Sequence, residues 1–164
     1  MSGPAVLLLD TIDDGLHAHG AQRRRALERL GCTVTTVELG RKGGLLSRIG
    51  GNDLPGRLTK AIDQAAPDLV LVLGGDELEP ERVADLKARS GATWVNWIPW
   101  DLRWADRALE LARPYDHLFA IGTDMADGLA MRLGRAVPVL PLGADPSVYR
   151  PIGSRGQHRG DEVL

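Results

Sequence analysis

Carboxylates, histidines and glycines gather in two short stretches, Asp10-Thr11-Ile12-Asp13-Asp14-Gly15-Leu16-His17-Ala18-His19-Gly20 and Gly74-Gly75-Asp76-Glu77-Leu78-Glu79-Pro80. Asp13, Asp14, Asp76 and Glu77 offer acceptor oxygens for hydroxyl groups, His17 adds an imidazole, and Gly15 and Gly20 let the backbone approach a ligand closely. This combination suits recognition of a polyol. Each acid also has a plainer use: Asp13 and Asp14 as caps of the next helix, and 76–79 as a solvated loop before Pro80 at a helix start. A third stretch, Thr93-Trp94-Val95-Asn96-Trp97-Ile98-Pro99-Trp100-Asp101, holds three tryptophans in a chain that is 4% aromatic. Strand alternation puts Trp94, Asn96, Ile98 and Trp100 on one face and Val95 and Trp97 on the other, with Trp94 and Trp97 expected in the core. The Trp100 indole is placed to stack on a sugar ring or an apolar ligand, and Asp101 to take a hydroxyl proton. Asp101 serves equally as the cap of a helix opened by Leu102-Arg103-Trp104. His17 and His19 beside Asp13 and Asp14 make a poor metal pattern, and no metal is expected.

The elements that must position these residues follow from hydrophobic periodicity. Continuous apolar runs at 5–9, 33–39, 69–73, 93–98, 117–121 and 137–140 have the length and composition of strands buried on both faces of a parallel sheet. Helical spacing lies between them, at Ala26, Leu27 and Leu30, at Leu45, Leu46 and Ile49, and at Leu58, Ile62, Ala65 and Ala66. It resumes at Val83 and Leu86, at Ala105, Ala108, Leu109 and Ala112, and at Met125, Leu129 and Leu133. Gly31, Gly91 and Gly134 stand where these helices should end. The alternation predicts a doubly wound, Rossmann-like α/β/α sandwich with a mostly parallel sheet of about six strands. In such a fold ligands bind outside the carboxyl ends of the strands, where the winding reverses. With a strand order of second, first, third, fourth, that point lies between the strands ending at Asp10 and Leu73, beside the two acidic loops.

Composition narrows the function classes. The 164 residues, 43% apolar and 26% charged, suffice for one core of ordinary size. A formal charge of −2 disfavours a nucleic-acid surface, and Arg23-Arg24-Arg25 is expected to be the solvated side of a helix. The lone Cys32 permits no internal disulfide, is expected to be a buried small residue, and fits a reducing compartment. No transmembrane segment or signal peptide is expected, and a cytoplasmic chain is. The loop after the first strand lacks the spaced glycines of dinucleotide sites, which disfavours a dinucleotide-dependent dehydrogenase, and no resident cofactor is expected.

The end of the chain adds a motif. Pro141-Leu142-Gly143-Ala144-Asp145-Pro146-Ser147-Val148-Tyr149-Arg150-Pro151 combines a strand-stopping proline, a glycine read as supplying a conformation closed to other residues, and an Asp-Pro turn. It resembles the interdomain hinge of GT-B-fold glycosyltransferases, "P-x-G-(V/A)-D-x-x-x-(F/Y)-x-P", with Gly143, Asp145 and Tyr149 in register. The stretch from Gly20 to Val34 is similar to the family's first helix and second strand, with Cys32 where a histidine is usual. Asp68-Leu69-Val70-Leu71-Val72 and Tyr115-Asp116-His117-Leu118-Phe119 are similar to strands of the spore-maturation, CgeB-like group, close to the family 4-like enzymes.

The resemblance covers nearly the whole chain and implies a Rossmann-like N-terminal GT-B domain over 1–152. It further implies that 153–164 is an interdomain linker and the start of a C-terminal domain. It implies an acceptor-binding half that works with that domain on a nucleotide-sugar co-substrate and a hydroxyl acceptor, and that is inactive alone. Asp101 or His19 would be the general base, Asp76 and Trp100 acceptor contacts, and Gly15 and Gly20 would keep the first loop open toward the donor. No catalytic metal is implied.

Two other classes remain. Asp14-Gly15-Leu16-His17-Ala18-His19-Gly20 with Gly74-Gly75 resembles the "D-x-H-x-x-G … G-G" signature of cobalamin-binding domains, but its Asp and His are one residue too far apart. A stand-alone carbohydrate-binding module would bind sugar through Trp100 without a nucleotide.

Overall fold

The computed structural model of the protein describes residues 3–10, 19–39, 53–99 and 105–146. Ten elements follow in chain order: β1 (Ala5–Asp10), α1 (His19–Arg29), β2 (Thr33–Glu38), α2 (Leu54–Ala65), β3 (Leu69–Leu73), α3 (Pro80–Ser90), β4 (Thr93–Ile98), α4 (Ala105–Ala112), β5 (His117–Ala120) and α5 (Thr123–Leu133). The strands form one sheet, all parallel, in the order β2-β1-β3-β4-β5. This is a Rossmann-like α/β/α sandwich, and its winding reverses between β1 and β3 as the sequence leads one to expect.

The sheet is narrower than the six strands expected. The run at 137–140 contributes a single bridging pair, Val139 beside Ala120, with Ala120 N–H donating to Pro138 O and Leu140 N–H to Ala120 O. Pro138, whose backbone faces β5 in this register, has no N–H to extend the ladder, so the sixth strand does not form.

Burial follows strand alternation. One face presents Leu7, Leu9, Val70, Val72, Trp94 and Ile98 to apolar residues of α2 to α5, such as Leu58, Val83, Ala108 and Leu129. The opposite face carries Leu8, Leu73 and Trp97, with Leu71 and Phe119 packed beside them, and α1 lies over it. Trp94 and Trp97 are both buried, on opposite faces, as alternation requires.

Element ends obey local chemistry. Pro80 opens α3, Asp53 accepts a hydrogen bond from Gly56 N–H at the start of α2, and Gly91 and Gly134 close α3 and α5 in left-handed C-caps. α2 closes on Ala66 at φ 40°, a left-handed position without the glycine that normally fills it. At the amino edge, Asp116 accepts hydrogen bonds from the Lys87 ammonium and from Trp94 N–H, tying β5 to α3 and β4. Burial opposes ionisation of Asp116, but the Lys87 hydrogen bond, the Trp94 N–H and the charges of Lys87 and His117 outweigh it and hold the carboxyl below its usual range. Cys32 is half-buried with a free thiol, not buried as expected.

Candidate functional site

At the carboxyl edge, β1 ends in Asp10, 5% exposed although ionisable. The first turn of α1 stands directly on it. A Cβ on Gly20 would lie 2.5 Å from Asp10 Oδ2, so this contact requires glycine for close approach rather than for an unusual dihedral. One turn on, Arg23 brings a guanidinium nitrogen to 3.7 Å from Asp10 Oδ2 and places its Cζ 4.5 Å from the Trp97 ring centroid. Burial lowers the Arg23 pKa, and the Asp10 carboxylate partly restores it. Aspartate, arginine and indole thus form a charged stack at the end of the sheet on the α1 side.

On the other side of the winding reversal β3 runs into Gly74 and Gly75, both buried, at φ 73° and 84°. Only glycine adopts such a pair without strain, and a Cβ on Gly75 would also meet Val72 Cγ1 at 2.8 Å. β4 pins the turn. Gly74 N–H donates to Trp97 O at 3.0 Å, and the fully buried Asn96 donates through Nδ2 to Gly74 O at 3.1 Å. The turn delivers Asp76 and Glu77, half-buried, beside Arg107 of α4, which donates to Asp76 O at 3.4 Å and lies 3.6 Å from Glu79.

The chain leaves the sheet through 140–146, which turns back against α1. Asp145, 6% exposed, is seated between two arginines one helical turn apart. Arg25 donates from Nε and a terminal nitrogen to Oδ2 at 3.1 and 3.0 Å, and Arg29 donates to Oδ1 at 3.0 Å. Beside this clamp a largely apolar cavity of about 560 Å³ is lined by Ala26, Leu30, Trp97, Leu140 and Pro141, with Arg23 and Arg29 at its edge.

Of the candidate residues, Asp76, Glu77, Gly143 and Asp145 fall among the described positions. Asp76 and Glu77 follow the carboxyl end of β3 beside the winding reversal, while Asp145 sits on the α1 side of the sheet. His19 is the first residue of α1, at the carboxyl edge with Gly20, and only its backbone is described. Asp13, Asp14, Gly15, His17, Trp100, Asp101 and Tyr149, and the Leu45, Leu46 and Ile49 helix, lie outside the described residues. Two expectations are corrected. Gly143 is not left-handed and a Cβ there would meet nothing, so a glycine at this position is not required for backbone freedom. The Arg23 to Arg25 run is not simply solvated: Arg24 pairs with Glu28 on the surface, but Arg23 and Arg25 engage Asp10 and Asp145. Sequence pattern alone does not mark Asp10, Arg23, Arg25, Arg29 and Trp97 as neighbours of a site; the i, i+4 spacing of Arg25 and Arg29 is the single local sign of their pairing.

Among the described residues no group of three His, Cys, Asp or Glu side chains is arranged to hold a metal, and no helix is long and apolar enough to cross a membrane. No protein-family model matches the chain, and no curated protein matches it.

Proposed function

We propose that this chain is the acceptor-side domain of a two-domain GT-B glycosyltransferase. The observation that carries the reading is the seating of Asp145: the stretch that resembles a GT-B hinge is docked by its carboxylate on Arg25 and Arg29 of α1. That helix also stands on Asp10 at the end of β1, so the hinge-like stretch and the winding reversal are both in contact with one element. Further support comes from the winding reversal beside two acidic, glycine-bearing loops, and from Leu30, Leu140 and Leu142, which stay 78%, 42% and 50% exposed beside the clamp. An apolar surface of that kind suits a neighbouring domain.

On this reading Asp76 and Glu77, with Asp13, Asp14 and Trp100, hold a hydroxyl-bearing acceptor in the crevice. Asp101 or His19 takes the proton of the attacking hydroxyl, the oxygen forms a bond to the anomeric carbon of the donor sugar, and the bond to the nucleoside diphosphate breaks. The second domain would hold the nucleotide, and the diphosphate would leave toward it with its charge met by basic groups and helix ends.

Saturation-transfer NMR of the chain with a panel of mono- and disaccharides tests the acceptor assignment. Sugar signals saturated by the protein, and lost on Asp76→Asn, are expected. Absence of transfer from every sugar, or transfer that Asp76→Asn leaves intact, contradicts the placement of the acceptor at this crevice.

A further inference from the structure

β2 is an outer strand of the sheet, in register with β1 at every residue and without a bulge. Thr33 N–H donates to Pro4 O and Leu39 N–H to Asp10 O, so in this parallel ladder Thr33, Thr35 and Val37 turn their backbone groups toward β1. Val34, Thr36 and Glu38 turn theirs outward. The Glu38 carbonyl is covered by a guanidinium nitrogen of Arg57 at 3.2 Å, whereas the outward groups of Val34 and Thr36 meet no strand among the described residues. Every residue of β2 except Glu38 is β-branched, and the strand has none of the prolines, lysines or bulges that blunt an exposed edge.

Chemistry beside the edge says what should lie there. Thr35 and Val37 with Arg57, Lys60 and Gln64 of α2 border a groove of about 360 Å³ in which no acidic residue takes part. Lys60 is exposed and its ammonium makes no ion pair among the described residues. A second copy of this chain pairing edge to edge would bring the Arg57 and Lys60 side of α2 toward its own counterpart, like charge against like.

We propose that the β2 edge and this groove bind an extended acidic segment of another polypeptide. The segment adds as a further strand through the backbone groups of Val34 and Thr36. Its alternate side chains, two residues apart, fall on the α2 side, where carboxylates meet Lys60 with Arg57 near by. Hydrogen bonds to the edge supply pairing, and the basic groove supplies the preference for an acid at every second position.

The probe is a fluorescein-labelled Glu-Val-Glu-Val-Glu-Val peptide, with Lys-Val-Lys-Val-Lys-Val as the control, read by anisotropy and by amide hydrogen exchange of the ¹⁵N-labelled chain. In the free chain Thr35 and Val37 amides should exchange slowly and Val34 and Thr36 quickly. The acidic peptide should bind, slow Val34 and Thr36, and lose at least tenfold in affinity on Lys60→Glu, an exposed change whose folding circular dichroism verifies. Failure to bind at millimolar peptide, equal binding of the lysine peptide, or indifference to Lys60→Glu overturns the proposal. Protection of Val34 and Thr36 in the free chain overturns it too, because the edge is then already occupied, by a second copy where sedimentation gives a dimer.

Discussion

Gly20 and Gly143 show at single-residue scale how differently two glycines act in one chain. Gly20 admits no Cβ without displacing the buried Asp10 carboxylate, itself held near Arg23. Gly20→Ala should therefore lower the unfolding free energy by about 1–3 kcal/mol in urea titrations. Gly143→Ala meets open space and should change it by less than about 0.5 kcal/mol. Asp145 joins the exit segment to α1 through charge-assisted hydrogen bonds, but its arginines are 45% and 50% exposed, so solvent screens the clamp. Asp145→Ala should cost about 1–2 kcal/mol and raise amide exchange across 142–146, and a double-mutant cycle with Arg25→Ala should be non-additive. An Asp145→Ala protein with unchanged exchange in that segment would mean that the clamp does not hold it.

The elements carry two further expectations and show where sequence reading stops. Ala66 holds a left-handed C-cap at φ 40°, so Ala66→Gly should stabilise the protein by about 1 kcal/mol in the same titrations. Asp116 has a folded pKa below its unfolded value, so its stabilising contribution is complete above the unfolded value of about 4 and is lost as pH falls through the folded one. Unfolding midpoints should drop below about pH 4, and Asp116→Asn should flatten that drop. The central strands β1, β3 and β4 are legible because strands buried on both faces read as apolar runs, the edge strand β2 reads through its β-branched residues, and the alternation of strands with helical spacing locates the reversal between β1 and β3. The sixth run was misread because its apolar count hid Pro138. The roles of Arg25 and Arg29 were not legible at all. Periodicity records that they avoid the core, while their partner Asp145 lies 120 residues from Arg25, a pairing that only the tertiary fold creates. Asp10 reads as a strand end, and nothing local reveals that Arg23 and Trp97 close over it.

For the molecule as a whole, the informative feature is asymmetry. Four helices cover one face of the sheet, whereas α1 and the returning exit segment, joined through Asp145, cover the described part of the other. The apolar surface beside that junction, the acidic loop after β3 at the reversal and the hinge-like stretch fit together if, as proposed, a second domain packs there and supplies a nucleotide-sugar. The most direct test is incubation of the native gene product with nucleotide-sugars based on uridine, guanosine and thymidine diphosphates, measuring release of nucleoside diphosphate with and without a glycan acceptor mixture. Release from at least one donor, stimulated by acceptor and at least a hundredfold slower in Asp101→Asn or in a His19→Ala protein, is the predicted result. No release from any donor, by a product shown to be folded, would contradict the glycosyltransferase assignment.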